Sequence, residues 1–132
     1  MASDPRELIG RYIEAVGERR LEALPPMLEE DASFTLGDNT LSGREPFVNA
    51  FRRLLPIIER NEIRHVFIDG DEACVVYDFV TNTPVGAVLS VEYIKLRNGR
   101  IAASTLVFER LHWAEVLAAL KERELKSAAV AA

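Results

Sequence analysis

The segment most informative about the fold covers residues 73–110 and reads ACVVYDFVTNT, then PVGAVLSVEYIKL, then RNGR, then IAASTLVFER. Val, Ile, Thr, Tyr and Phe are frequent in it, and these residues favour extended backbone. Turn-forming residues separate the apolar runs at Pro84, Gly86 and Asn98-Gly99. Asn-Gly is typical of a tight hairpin because both residues tolerate positive φ. The segment therefore predicts a three-stranded antiparallel meander.

Helical patterns precede and follow this meander. Asp4, Pro5 and Glu7 form the capping pattern of a first helix, which carries apolar residues at helical spacing up to Val16. A second, poorer helix is interrupted by two prolines, and a longer third helix carries a broad apolar stripe. In chain order, the predicted elements are helices over residues 4–17 and 21–30, a strand over 32–36, a helix over 42–58, a strand over 63–69, the meander, and a helix over 112–126.

This order predicts an α+β fold, because helices come first and an antiparallel sheet follows. Helices packed on one face of a strongly curved sheet enclose a cone, and such cones hold concave, largely apolar ligand sites. A single domain is expected over residues 1–132. Its end, residues 127–132, is expected to be disordered because nothing anchors the sequence SAAVAA.

The composition argues against several classes of function. The chain of 132 residues is 48% hydrophobic and 28% charged, as in an ordinary globular domain, and its net charge of −5 argues against nucleic acid as a partner. The single cysteine, Cys74, forms no internal disulfide, and two histidines far apart in sequence argue against a metal site. The chain has no apolar run of membrane-spanning length and no signal-peptide pattern, so a cytoplasmic location away from membranes is expected.

Two acidic residues lie inside the meander among apolar neighbours. Glu92 shares strand parity with Ile94 and Leu96, so it is predicted to face the interior of the cone, where loss of hydration would raise its pKa. The alternative is a glutamate near a sheet edge that reaches water or an arginine. Asp78 either acts as a general base in the pocket or forms a structural ion pair with a neighbouring strand.

Two further residues complete the predicted acid/base site. His65 lies on the strand expected beside Asp78 and Glu92, and a histidine hydrogen-bonded to a carboxylate suits proton transfer near neutral pH. The alternative is a partly buried histidine with its hydrogen bonds satisfied. Tyr12 lies in the middle of the apolar face of the first helix, so its ring should be buried and its hydroxyl must find a partner.

The walls of the cone are predicted to contact the ligand. Bulky apolar walls combined with a few acids indicate a small, largely hydrophobic molecule that carries an oxygen function. The alternative for most wall residues is a place in the core without ligand contact. The predicted wall residues are Phe34, Leu36, Phe47, Phe51, Leu106 and Phe108.

The other face of the predicted sheet also carries apolar residues. Val75, Tyr77, Val91 and Tyr93 are expected on this outer face because their parity is opposite to that of the wall. An apolar outer face needs a cover, which predicts a homodimer packed sheet to sheet.

Four segments carry a resemblance to known proteins: RYIEAV in the first helix, EEDASFTL before the first strand, SGREPF at the start of the third helix, and VEYIKLRNGRI in the last hairpin. With these segments the chain resembles the SnoaL-like families of the NTF2-like superfamily, from about residue 7 to residue 110. These families include polyketide cyclases, ketosteroid isomerases and limonene epoxide hydrolases. The resemblance implies the cone-shaped fold, with a curved antiparallel sheet wrapped around N-terminal helices and an extra C-terminal helix.

The resemblance to ketosteroid isomerases also implies roles for single residues. In those enzymes a tyrosine of the first helix and a protonated acid on a late strand form an oxyanion hole. Tyr12 matches the first position, and Glu92 matches the second when one residue of hairpin length is allowed. The general-base position falls on Leu36 or Gly37, neither of which can take a proton.

Two classes of function remain open on this sequence. One is cofactor-free acid/base catalysis (isomerisation, cyclisation or epoxide hydration) in which Tyr12 and Glu92 donate hydrogen bonds to an oxyanion and Asp78, tuned by His65, moves the proton. The other is a non-catalytic ligand-binding or accessory module that lacks the base. Convergence of Tyr12, Asp78 and Glu92 on one cavity favours catalysis, and carboxylates in outward ion pairs favour the binding module.

Overall fold

The computed structural model describes residues 4–131, which form three helices, six strands and two short 3-10 turns. The helices are α1 (Pro5–Gly17), α2 (Arg44–Arg52) and α3 (Trp113–Ala131). The strands are β1 (Leu28–Leu36), β2 (Asn39–Ser42), β3 (Ile58–Asp69), β4 (Glu72–Thr81), β5 (Ala87–Arg97) and β6 (Arg100–Phe108). The 3-10 turns, Leu21–Ala23 and Pro25–Met27, connect α1 to β1.

The six strands form one curved sheet in the order β2-β1-β6-β5-β4-β3. Neighbouring strands are antiparallel except β1 and β6, which run parallel. The predicted meander is therefore present as β4, β5 and β6, and the predicted α+β class is confirmed. The core lies between the inner face of the sheet and the helices, with α1 on β3 and α2 on β1.

The predicted third helix is much shorter than the sequence pattern suggested. α2 ends at Arg52, and β3 has already begun at Ile58. The physical reason is Pro56, whose ring would collide with the carbonyl of residue 52 in a continuing helix and which offers no N–H to it. The apolar residues Ile57 and Ile58 are buried all the same, because the chain turns and enters the sheet at this point.

The segment between the first two predicted helices also differs from the prediction. Pro25 and Pro26 leave only two 3-10 turns instead of a helix over residues 21–30. Strand β1 starts at Leu28, four residues earlier than expected, and Asn39 and Thr40 pair with β1 as the start of the edge strand β2.

The prediction that Val75 and Tyr77 lie on the outer face of the sheet is wrong. Val75 is directly opposite Glu92 in the β4–β5 ladder, and directly paired residues share a face. Both Val75 and Tyr77 are consequently buried inside, at 0% and 2% exposure. The outer face is formed instead by Cys74, Val76, Asp78, Leu89, Val91, Tyr93, Thr105 and Val107, with His65 and Phe67 of β3 beside them.

Helix α3 packs back onto the domain. The Trp113 ring lies 4.5 Å from that of Phe108, Val116 and Leu120 are fully buried, and the Arg123 guanidinium donates to the carbonyl of Pro56. The helix continues to Ala131, through most of the segment for which disorder is predicted; that disorder stays a prediction, and residue 132 lies outside the described residues. Among the helices described, none has the length and apolar character needed to cross a bilayer.

Candidate functional site

A fully buried carboxylate forms the centre of the site. The Tyr12 hydroxyl donates to Glu92 Oε1 at 2.6 Å, the Tyr77 hydroxyl donates to Oε2 at 2.6 Å, and Ser104 Oγ donates to Oε1 at 2.7 Å. None of the four side chains is more than 2% exposed. We refer to Tyr12, Tyr77, Glu92 and Ser104 as the Glu92 cluster.

Four elements position the Glu92 cluster. Tyr12 comes from the buried face of α1, and the other three residues come from the adjacent inner-face positions of β4, β5 and β6. Glu92 is paired with Val75 on one side and with Leu106 on the other, so it lies in the middle of the sheet. The parity prediction thus placed Glu92 on the correct face.

The electrostatics of the cluster are dominated by loss of hydration. Burial raises the pKa of Glu92, because the charged carboxylate loses its contact with water, while the three hydroxyl donors act in the opposite direction. Burial, and secondarily the neighbouring Glu92 charge, raises the pKa of Tyr12 and Tyr77 well above their ordinary range. The two tyrosines therefore stay protonated and can serve as hydrogen-bond donors at any physiological pH.

A cavity of about 290 Å³ lies between α2 and the strands β1, β2 and β6. We refer to it as the Phe51 cavity. Its wall is mainly apolar, with Asn39 and Thr40 as the residues that carry polar side chains. The full lining is Phe34, Leu36, Asn39, Thr40, Leu41, Ala50, Phe51, Leu54 and Leu106.

The Phe51 cavity and the Glu92 cluster share a wall. Phe34 is paired with Ser104, Leu106 is paired with Glu92, and the Phe51 ring packs edge-on against Tyr12 with centroids 6.2 Å apart. None of the four cluster residues lines the cavity itself. A molecule in the cavity is thus separated from the carboxylate by one layer of apolar side chains.

Four of the predicted wall residues, Phe34, Leu36, Phe51 and Leu106, line this cavity. Phe108 does not belong to its lining and packs instead between Trp113 and the Arg110 guanidinium, which lies 5.2 Å from its ring centre.

Asp78 does not join the Glu92 cluster. Its carboxylate faces outward and accepts two hydrogen bonds from Arg64, Nε to Oδ2 at 2.9 Å and Nη2 to Oδ1 at 3.1 Å. Successive side chains of a strand point to opposite faces. Val75 and Tyr77 face inward, so Asp78, which lies between Tyr77 and Phe79, must face outward. The structural alternative considered for Asp78, an ion pair with the neighbouring strand, matches this geometry.

His65 is also on the outer face, where its ring lies 4.1 Å from that of Phe67. The reason is a bulge in β3: Ile63 pairs with Tyr77 and His65 pairs with Val76, which leaves Arg64 as an extra residue. Without that extra residue His65 would be opposite Val75, on the inner face and close to Glu92. His65 therefore contacts neither carboxylate.

Sequence reasoning missed Tyr77 and Ser104 as partners of Glu92. A signal existed for Tyr77, because a hairpin centred between Thr83 and Pro84 pairs residue 75 with residue 92 and so turns Tyr77 inward. No such signal existed for Ser104. The Asn98-Gly99 turn sets the register between β5 and β6, and an irregularity beside Leu96 then shifts this register by one residue. Without the shift, Ser104 would lie on the outer face.

The sequence can be assigned to a family of domains. Residues 9–104 match the model of the SnoaL-like domain, which is more than half of the chain. The chain therefore belongs to the SnoaL-like domain family. Among curated proteins, none matches the sequence significantly.

Solved structures with the same fold come from several bacteria. IdmH from Streptomyces antibioticus, described as a candidate polyketide cyclase, is 15% identical with a TM-score of 0.72 over 83% of this chain and 94% of its own. A protein with a ketosteroid isomerase-like fold from Catenulispora acidiphila is 18% identical with a TM-score of 0.69 over 80% of this chain and 86% of its own. An NTF2-like protein of unknown function from Cytophaga hutchinsonii is 19% identical with a TM-score of 0.67 over 83% of this chain and 94% of its own. At these identities the likeness establishes the NTF2-like fold.

Proposed function

We propose that this SnoaL-like domain binds a small, predominantly apolar molecule with an oxygen function in the Phe51 cavity. The observation that carries the proposal is the cavity itself, about 290 Å³ in volume and walled by Phe34, Phe51 and Leu106. Its volume is near the lower end of the roughly 300–1,000 Å³ typical of small-molecule sites. Asn39 and Thr40 carry the polar groups that would bind the oxygen of the ligand.

Binding is favoured over catalysis because the acid/base groups are already engaged elsewhere. The Glu92 carboxylate is held by three hydroxyl groups behind the cavity wall, and Asp78 is held by Arg64 on the outer face. Neither carboxylate is therefore placed to exchange a proton with a molecule in the Phe51 cavity.

Filling the cavity tests this proposal. Ala50 lines the cavity from α2, so Ala50→Leu should occupy part of the volume without disturbing helix propensity. We expect the affinity for 2-naphthol, used as an apolar probe with one oxygen, to fall at least about tenfold, since the larger side chain and the probe compete for the same space. The measurement is a fluorescence titration of purified protein.

The same substitution at an exposed position of another helix, Ala118→Leu on α3, is the matched control and should leave the affinity unchanged. Equal affinity of the Ala50→Leu variant and the wild type would place the probe elsewhere and contradict the proposal.

Cofactor-free acid/base catalysis is the second candidate, and the buried acid Glu92 is the observation that favours it. Acids with a raised pKa are concentrated at functional sites. In this proposal Phe34 or Phe51 moves aside, and Tyr12 and the protonated form of Glu92 donate hydrogen bonds to the oxyanion. A buffer base that enters with the substrate takes the proton from the α-carbon and returns it to the γ-carbon. Isomerisation of cyclohex-3-enone to cyclohex-2-enone, followed by ultraviolet absorbance, should then be lost in both Glu92→Leu and Tyr12→Phe, because each removes a hydrogen-bond donor. A rate that survives both substitutions argues against this candidate.

A homodimer through the outer face is a further part of the proposal. Phe67, Leu89, Tyr93 and Val107 are all more than 40% exposed there, which is an unusual density of apolar side chains for a surface in water. A cytoplasmic location stays a prediction.

A further inference from the structure

A second concave surface lies on the side of α2 that faces away from the Phe51 cavity. It has a volume of about 380 Å³ and is formed by one face of α2 and the connection between α1 and β1. We refer to it as the Arg44 cleft. Its residues are Arg19, Leu21, Glu22, Pro25, Arg44, Glu45, Val48, Asn49, Arg52 and Leu55.

Three arginines line the Arg44 cleft, and backbone carbonyls anchor two of them. Arg19 donates from Nε and Nη2 to the carbonyl of Ile58 at 3.0 and 2.8 Å, and Arg44 donates from Nε to the carbonyl of Leu28 at 2.9 Å. The third, Arg52, donates from Nε to Asn49 Oδ1 at 2.9 Å. All three of these acceptors are neutral. Within the described part of the chain, no carboxylate lies within 4.0 Å of the Arg19, Arg44 or Arg52 guanidinium.

The backbone at Arg19 is itself unusual. Arg19 has φ of 64°, in the left-handed region that favours glycine, where it ends α1 with hydrogen bonds from Arg19 N to Val16 and from Arg20 N to Ala15. A residue with a side chain is strained in this conformation, and such strain is concentrated at binding and active sites. The conformation turns the Arg19 side chain towards β3 and the cleft.

The charge and the walls of the cleft define the kind of ligand that fits. Three guanidinium groups and two carboxylates (Glu22 and Glu45) leave the cleft with a single positive formal charge in a protein whose net charge is −5. One positive charge matches a monoanion better than a dianion. Leu21, Val48 and Leu55 add apolar surface on which a hydrocarbon chain can pack.

We propose that the Arg44 cleft binds a monoanionic amphiphile, a carboxylate with a short apolar chain. Its carboxylate is held by the Arg44 and Arg52 guanidinium groups, which suit the planar carboxylate geometry, and its chain lies on Leu21, Val48 and Leu55. This site is separate from the Phe51 cavity and does not depend on the function proposed for that cavity.

The test is calorimetric titration of the full chain with sodium octanoate, and with 1-octanol as the uncharged probe of equal length. Wild-type protein should bind octanoate at least about tenfold more tightly than octanol, and only the octanoate affinity should fall between 20 and 300 mM salt, because salt screens charges. The octanol titration is repeated with Ala50→Leu, whose Phe51 cavity is filled, and equal affinity of that variant for the two probes would overturn the proposal.

The site can be located with two substitutions, one that removes a positive charge from the cleft and one that removes a negative charge. Arg52→Gln should weaken octanoate binding about fivefold, whereas Glu45→Gln should strengthen it about twofold to fivefold, because it removes a negative charge from the cleft. Arg53→Gln is the matched control: Arg53 is next to Arg52 but pairs with Glu124 outside the cleft, so the affinity should not change. An octanoate affinity that is unchanged in both Arg52→Gln and Glu45→Gln would refute the site.

Two more measurements distinguish the Arg44 cleft from the Phe51 cavity, and an amphiphile from a simple anion. Ala50→Leu, which fills the Phe51 cavity, should leave octanoate binding unchanged; loss of binding in that variant would mean that octanoate occupies the cavity and not the cleft. Inorganic phosphate should bind at least about tenfold more weakly than octanoate, since it lacks the apolar chain. Phosphate binding of equal strength would overturn the amphiphile as the ligand.

Discussion

At the scale of single residues, Glu92 is a buried acid that depends on its hydrogen-bond donors. A carboxylate at 1% exposure has lost its hydration, and such a charge is tolerated only when donors replace the water. Three hydroxyl groups do so, at distances of 2.6–2.7 Å from the carboxyl oxygens. The cluster ties α1 to three strands and so contributes to stability as well as to any chemistry.

Removal of one hydroxyl should measure that contribution. Tyr77→Phe leaves Glu92 Oε2 without its donor, and we expect the free energy of unfolding to fall by about 1.5–3 kcal/mol, the range for hydrogen bonds to charged groups. The pKa of Glu92 should rise further, because the Tyr77 hydrogen bond lowers it. Urea unfolding measures the first effect and the carboxyl carbon signal in NMR measures the second.

The matched control is Tyr93→Phe, in which the same atom is removed from a ring 43% exposed on the outer face. Its effect on the free energy of unfolding should remain within about 0.5 kcal/mol, as for ordinary surface changes. Equal effects of the two substitutions would mean that the Tyr77–Glu92 bond contributes nothing specific.

The raised pKa of Glu92 also predicts a pH dependence. An acid whose pKa is higher in the folded protein than in the unfolded chain holds its proton more tightly when folded, so its contribution is complete below the unfolded pKa of about 4.3. That contribution is lost as the pH rises through the folded pKa of Glu92. The free energy of unfolding of the wild type relative to Glu92→Gln should therefore decline from about pH 4.3 upwards and then level off.

Urea unfolding of both proteins across this pH range checks the prediction. Taking the difference between them cancels other titrating groups, such as Glu29, whose pKa is lowered by hydrogen bonds from Arg97 and Asn98. If the free energy of unfolding changes with pH in the same way in both proteins, the prediction is contradicted.

At the scale of elements, the contact between α1 and β3 depends on a glycine. A Cβ atom on Gly17 would lie 2.5 Å from the backbone nitrogen of Asn61, closer than any real contact. The neighbouring hydrogen bond from Asn61 Nδ2 to the carbonyl of Ile13, at 3.0 Å, spans the same interface. The helix approaches the strand this closely because residue 17 has no side chain.

Two glycines of α1 therefore have opposite predicted effects. Gly17→Ala should lower the free energy of unfolding by about 1–3 kcal/mol, because helix and strand must move apart. Gly10→Ala is the control within the same helix: nothing lies within 4 Å of its added Cβ, so the variant should be more stable by about 0.5–1 kcal/mol through helix propensity. Thermal or urea unfolding measures both, and a Gly17→Ala variant as stable as the wild type would contradict the close contact.

The helices and strands also show which side-chain positions can be predicted from sequence patterns. Period-two alternation correctly placed Glu92 inside, and helical periodicity correctly placed Tyr12 on the buried face of α1. The same alternation failed for His65, because one extra residue in β3 reverses the face of every residue beyond it. Bulges depend on how two strands meet, so a pattern within one strand does not reveal them.

At the scale of the whole molecule, the exposed apolar side chains of the outer face support the proposed homodimer. Val107 and Phe67 are 62% and 55% exposed, and an apolar sheet face of this kind gains stability when a second copy covers it. We expect the wild type to have the mass of a dimer. Val107→Lys should convert it to a monomer, because a buried unpaired charge is costly.

Light scattering after size-exclusion chromatography measures this mass. Leu111→Lys is the matched control, since Leu111 is 78% exposed but follows the end of β6 and lies off the sheet. It should leave the dimer intact. A monomeric wild type, or two variants that behave alike, would contradict dimerisation through the outer face.

Sequence patterns correctly predicted the α+β class, the antiparallel meander, the inward position of Tyr12 and Glu92 and four of the residues that line the Phe51 cavity. These features follow from local periodicity and turn residues, which act within a few residues of the chain. The partners of Glu92, the outward ion pair of Asp78 and the position of His65 away from the site became apparent in the folded protein. The physical reason is register: which strands pair, and where a bulge shifts the pairing, depends on contacts between residues distant in sequence.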